Sequence, residues 1–355
     1  MRKQVGLVLF VAVMAGLFSG CSKNGNYPES ASLKLAINQG ALELNTAVSK
    51  ISSSQTFSVL TADAGTLKSA TISDSTYRVY IPLEKISGVY EYKPKAVYDR
   101  WGLSLIRFFN RTADNSHMIV KMPLRKVKSP RTVSHYSPAD TTLENNFMID
   151  VSDYHNNYNS YHDYDYILDS KITIDDTEAG SLYIKSNVSP ENGTDYTSNY
   201  TFTGSYKAEY KYLSGDTTVS SFSILDGTKT LYEEKRLTFK SDSSKFGREH
   251  IYILTIGDVT ITRNHSDHTV QVAVNGVVQP GATVTVVDRE DDEEASVCKK
   301  REVQITFEDG TTATISELIS SSVDNIRTIF QSLHQVYFAA YVVDWIAYDI
   351  YYERN

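Results

Sequence analysis

The sequence predicts a mainly β fold with flanking helices: antiparallel sheet laid down as a hairpin meander, an N-terminal helix, and a C-terminal segment of helical spacing whose residue types also suit a strand. Three observations carry this. From about Thr71 the apolar residues recur every second position, the period of a strand with one covered face. Turn pairs punctuate that pattern: Gly257-Asp258 with glycine first suits a type II′ hairpin, and Asn275-Gly276 and Asp309-Gly310 are the pairs that type I′ turns favour. The chain also holds 25 tyrosines, a residue that packs its ring on a pleated surface and keeps its hydroxyl wet.

In chain order, the first segment is a leader. Arg2 and Lys3 precede an apolar or small-residue run from Val5 to Phe18, closed by Phe18-Ser19-Gly20-Cys21. A run of that length falls short of the roughly twenty residues that span a bilayer, and the charge, apolar stretch and small exit read as a secretory signal. With cysteine after Gly20, the exit resembles the lipobox of bacterial lipoproteins. That resemblance covers the leader alone. It implies cleavage before Cys21, diacylglycerol and an acyl chain of the palmitate kind on that residue, and attachment to a membrane through the lipid. Ser22 in place of an acidic residue resembles the outer-membrane-directed pattern, with the periplasmic face favoured over the cell surface.

Residues 21–30, with Gly25, Asn26 and Pro28, read as a tether. A helix is expected within 31–54, where Leu33, Ile37, Ala41, Leu44, Val48 and Ile51 make one stripe that Gly40 interrupts. A first β region covers 62–190, with strands at Tyr77–Ile81, Val89–Tyr92, Leu103–Phe109 and Met118–Met122, and a polar crossing at Lys128–Asn146. A second covers 191–316. In Phe202–Tyr212 the even positions are mostly aromatic and the odd ones polar, which reads as one strand. From 317 to 355 the residues Val323, Ile326, Phe330, Leu333, Tyr337, Tyr341, Trp345 and Tyr348 form a helical stripe, expected to pack on the fold. His334, Gln335 and Asp344 interrupt it and argue against a membrane span.

Composition narrows the function. Loss of Arg2 and Lys3 with the leader takes the net charge from −8 to −10, which argues against a nucleic-acid partner and against attraction to anionic lipid. If Cys21 carries lipid, Cys298 has no intrachain partner, so disulfides do not hold the fold. The elbow of serine hydrolases, the paired-histidine zinc helix, the P-loop and the dinucleotide fingerprint are all missing from the sequence. No cofactor or metal is expected. His265-Ser266-Asp267-His268 reads as a polar turn, and the acidic run from Asp288 to Glu294 as a solvated loop without EF-hand spacing.

The stretch Ser152–Tyr166 is the candidate site. Tyr154, Tyr158, Tyr161, Tyr164 and Tyr166 alternate there with Asn, Asp, His and Ser, a mixture of low-entropy contact area and adaptable hydrogen bonding used by binding loops. The blander account is a solvated loop or edge hairpin whose tyrosines cover the sheet. The function expected is that of a lipid-anchored envelope protein acting as a non-enzymatic binding or structural component, with a glycan or protein partner. The layout loosely resembles envelope lipoproteins of Bacteroides-type bacteria, among them fimbrial subunits and glycan-binding proteins. A fimbrial-type subunit, using a strand-like C-terminus as donor strand, and a hydrolase with an unrecognised site are the alternatives.

Overall fold

The computed structural model describes residues 32–54, 56–57, 78–92, 109–124, 144–202, 204–241, 247–265, 269–288, 301–320, 322–335 and 337–354. The leader with Cys21, the tether, most of the expected strand at 103–109, most of the crossing at 128–146, residues 266–268, the acidic run beyond Asp288 and Cys298 lie outside these residues. The expected fold class holds: the described chain is mostly antiparallel β, with a helix at its N-terminal side and helices at its C-terminal end. Among the described residues, no helix is long and apolar enough to cross a membrane.

The chain divides into two compact units. Of the described residues, the first takes those within Met1–Thr46, Asp216–Val219 and Lys229–Val323, the second those within Ala47–Gly215, Ser220–Thr228 and Asp324–Asn355.

In the first unit, helix α1 (Leu33–Ser52) contributes its leading turns, burying Leu33, Ile37, Ala41 and Leu44 as the stripe requires. Strands β11 (Lys229–Lys240), β12 (Arg248–Ile256), β13 (Val259–Asn264), β14 (Val270–Val274) and β15 (Val277–Val278) pair in sequence order, all antiparallel. Their turns follow the chemistry of the residues. Gly257 alone takes a positive φ (55°) between paired Ile256 and Val259, as type II′ demands, while Asn275 (49°) and Gly276 (77°) both do, as type I′ demands. A second small sheet joins β16 (Thr283–Asp288), β17 (Arg301–Thr306) and β18 (Thr312–Thr314). The Asp309-Gly310 turn is not the expected two-residue type: Thr306 pairs with Thr312, Phe307 accepts from the Gly310 amide and donates to Thr311, and only Gly310 takes a positive φ (79°). That is a type I turn followed by a left-handed glycine. The short helix α3 (Ile315–Leu318) follows, with Thr314 and Glu317 making a reciprocal capping box.

In the second unit, β5 (Phe147–Ser160), β6 (Asp163–Ile174), β7 (Thr177–Ser189), β8 (Gly193–Phe202), β9 (Tyr206–Leu213) and β10 (Thr217–Asp226, from Ser220 on) form the meander. On the far side of β5, β4 (Met118–Met122) pairs with Phe147–Val151 and β1 (Val79–Pro82) with His155–Tyr158. Beyond β4 come β2 (Gly88–Tyr92) and β3 (Phe109–Ala113), with β2 parallel to β4, an exception to the antiparallel rule. Helix α2 (Leu83–Ile86) links β1 to β2.

One local feature shortens a strand the sequence predicts: of Phe202–Tyr212, Tyr206–Tyr212 is strand β9, but Phe202 ends β8, because Gly204 takes φ +96° and bends the chain between them. The β6–β7 connection is a two-residue turn at Asp175-Asp176, both left-handed (49° and 59°), and Asn146 secures it through a 2.7 Å bond from its amide to the Asp175 carboxylate. From Val323 onward the described part of the C-terminal segment is helical: α4 (Val323–Gln335) and α5 (Tyr337–Arg354). In α4, Phe330 packs edge-on against Phe222 (5.0 Å) and Tyr210 (6.4 Å). In α5, Val342, Val343, Ile346 and Ala347 are buried, while Trp345 is only half-buried. The side chains of Leu333, His334, Gln335 and Tyr337 fall outside the described part.

Candidate functional site

The candidate stretch is neither a loop nor an edge: it is the outer half of the β5–β6 hairpin, flanked by β1 on one side and β7 on the other. Strict alternation from Phe147, Ile149 and Val151, all buried, would put Asp153, His155 and Asn157 on the covered face. A β-bulge between Val151 and Asp153 prevents this. The extra residue switches the face, so that Tyr154, Asn156 and Tyr158 continue the covered side while His155 turns to the opposite one. On β6, Leu168, Tyr166 and Tyr164 stand directly opposite those three residues and share their face.

Helix α5 lies over this row. Tyr154 is buried, and its hydroxyl donates to the Asp344 carboxylate at 3.0 Å. The Tyr166 hydroxyl donates to the same oxygen at 3.1 Å, and the two rings meet edge to face at 5.8 Å. One turn further along α5, the Tyr348 hydroxyl accepts from the Asn156 amide at 3.2 Å. Asp344 and Tyr348 are four residues apart, so one helix face delivers both. The tyrosine hydroxyls favour the ionised carboxylate, but burial outweighs them and Asp344 is pushed up to about 7. Burial, reinforced by the neighbouring Asp344, holds the Tyr154 and Tyr166 hydroxyls well above their usual range, and burial pushes Tyr348 up to about 12.

The five tyrosines singled out in the sequence therefore separate into three groups. Tyr154 and Tyr166 converge on Asp344. Tyr158 and Tyr164, half-buried, stand side by side further out on the same face, with ring centroids 6.4 Å apart and Tyr164 accepting from the Ser186 hydroxyl at 3.1 Å. Tyr161 lies in the turn, 78% exposed, edge-on to the His162 ring at 5.1 Å. On the other face, His155 bonds Asp165 at 2.6 Å, and Asn187 reaches the second oxygen of that carboxylate at 3.4 Å. Among the described residues, no group of three or more His, Cys, Asp or Glu side chains stands close enough to hold a metal ion.

Sequence reasoning missed Asp344 and Tyr348 as members of this site, while Asn156 lay within the candidate stretch. A lone carboxylate inside an otherwise apolar helical stripe was the one available signal, since burying it calls for hydrogen-bond donors on the surface it meets. Chemically, the arrangement can take up and release a proton at Asp344 under a helix, and it presents tyrosine ring and hydroxyl surface at the hairpin's outer end.

The chain matches no family model, no curated protein and no solved structure.

Proposed function

We propose that this is a lipid-anchored component of a bacterial envelope, held through Cys21 at the periplasmic face of the outer membrane, with a non-enzymatic binding or structural role. Its contact surface is the outer end of the β5–β6 hairpin, and its partner a glycan or a protein. The observation that carries this reading is the spread of Tyr158, Tyr164 and Tyr161 from half-buried to 78% exposed along one hairpin end. Such rings offer stacking area at low entropic cost, and Ser160 and Asn159 beside them are exposed and able to hydrogen-bond. Against the fimbrial alternative, the segment that would serve as a C-terminal donor strand is the helix α5, buried along one face.

Two experiments test the proposal. A glycan array screened with the soluble chain from Ser22 onward, and then with the Tyr158→Ala/Tyr161→Ala/Tyr164→Ala variant, should show binding that the variant loses. Retained affinity in a folded variant sinks the assignment of the surface. Separately, Cys21→Ser should abolish incorporation of labelled fatty acid in cells, and unchanged labelling rejects the anchor.

A further inference from the structure

Asp344 is the polar centre of the contact between α5 and the sheet, and its protonation bears on how firmly that helix is seated. We propose that α5 is a pH-sensitive strap: it sits on β5 and β6 while Asp344 is protonated, and it loosens when Asp344 ionises, uncovering the tyrosine row beneath. The inference concerns the strap alone and does not depend on any ligand of the hairpin.

The geometry supplies the two parts such a device needs, a titrating group and an element whose position that group biases. The underside of α5 is otherwise apolar, with Val342, Val343, Ile346 and Ala347 buried. Contacts of that kind are non-directional and indifferent to pH. Its polar anchors among the described residues include Tyr154 and Tyr166 on Asp344, Asn156 on Tyr348, and the Lys85 ammonium over the Tyr351 ring at 5.6 Å.

The groups facing Asp344 come from every element against it. From β5 comes Tyr154 and from β6 Tyr166, while Asn156 and Tyr158 face Tyr348 one turn further along α5. Tyr196 of β8 stands behind Tyr166 and raises its pKa further, and α5 itself supplies Tyr348. From β1, Val79 and Ile81 share the covered face and carry no charge. Lys85 of α2 engages Tyr351, two helical turns further along α5. His155 and Asp165 pair with each other on the opposite face of the sheet. Among the described residues, the groups bonded to the Asp344 carboxyl are two tyrosine hydroxyls and no cation pairs with it, so an ionised carboxylate there lacks the charge partner that would offset its desolvation.

The direction follows from linkage. Seated, the carboxyl holds its proton up to about 7; released, it returns to its ordinary value of 3.8. Rising pH between those values therefore favours the released state, and above about 7 the bias is constant. Between pH 5.5 and pH 8.0 the opening equilibrium should shift roughly thirty-fold toward release.

Hydrogen exchange of the full chain, read by mass spectrometry at those two pH values and corrected for intrinsic exchange, tests this. Amides of Asp344–Arg354 should lose protection by roughly that factor on going to pH 8.0, whereas strands β7 and β8 should not. Asp344→Asn, neutral at every pH and still able to accept from both tyrosines, should show protection that does not change with pH. Tyr154→Phe removes a donor that favours the ionised form and should move the midpoint of the transition upward. Protection of α5 that is equal at both pH values in the wild type overturns the proposal, and so does a pH dependence that survives in Asp344→Asn. Should Asp344→Asn fail to fold, the Tyr154→Phe midpoint decides: an unmoved midpoint rejects Asp344 as the titrating group.

Discussion

Gly40 of α1 and Gly257 of the β12–β13 turn meet backbone to backbone. A β-carbon on Gly257 would lie 2.8 Å from the Gly40 Cα, and one on Gly40 would lie 2.8 Å from the Ile256 carbonyl oxygen. The glycine that weakened the helical pattern in the sequence is thus the position that lets α1 lie on the turn. On an exposed helix, Gly→Ala gains up to about 1 kcal/mol. Here the sign reverses, because the obstructing atoms are backbone, and Gly40→Ala should destabilise the protein by about 1 to 3 kcal/mol. Denaturant unfolding of the pair of proteins measures this, and a more stable variant contradicts the close approach.

Two other glycines separate conformational strain from crowding. Gly276 (φ +77°) has open space around a would-be β-carbon, whereas at Gly193 (φ +74°) that atom would meet the Ser214 carbonyl oxygen at 2.4 Å. Gly276→Ala should cost only the left-handed penalty, about 1 kcal/mol. Gly193→Ala should cost that and more, and the ranking of the two melting temperatures is the check.

Glu209 is nearly buried between Lys207 (2.9 Å) and Lys211 (2.7 Å). Burial works to raise its carboxyl, yet the hydrogen bonds from Lys211 and Lys207 prevail and hold it below the usual value. A depressed carboxylate contributes stability at neutral pH, and that contribution is lost as pH falls below 4.5 through the folded-state value. Replacing both lysines by methionine should cost about 1 to 3 kcal/mol at pH 7, since an unpaired carboxylate remains. Glu209→Gln should flatten the acid limb of the stability profile. Urea titrations at pH 7 and pH 4 separate these outcomes, and a wild-type acid slope in Glu209→Gln assigns the slope to other groups.

Removal of residues 325–355 should unfold or aggregate the second unit. It deletes Phe330 from its contacts with Tyr210 and Phe222, along with the buried Val342, Val343 and Ile346. Each of these larger side chains contributes on the order of 1.5 to 3 kcal/mol through burial. A truncated chain that melts like the intact one would show that α4 and α5 are dispensable to the fold.

The meander and its turns were legible because their signals are local. Asn275-Gly276 and Gly257-Asp258 announce their hairpins within two residues, and the stripe of α1 within four. What escaped depends on context. Asp175-Asp176 is a turn because Asn146, 29 residues away, bonds it. The bulge at Val151–Asp153 leaves no mark in composition, yet it decides that Tyr154 rather than His155 faces α5. Asp344 meets Tyr154 across 190 residues, a distance no periodicity spans. The tyrosine-rich stretch stood out in the sequence, but its division into buried and exposed members required the third dimension.

The order of strands from β5 to β9 has a kinetic consequence. Each strand finds its partner in the segment just made, so each closure spans a short loop with little entropy to lose, and the hairpins can zip one upon another in sequence. The carboxylate that Tyr154 and Tyr166 await belongs to the last helix, so through all of that assembly the two rings stand without their cover. Refolding monitored by tyrosine fluorescence should therefore show the sheet signal first and a slower final phase, and Tyr154→Phe, which removes one of the two bonds to Asp344, should alter that last phase while leaving the first unchanged.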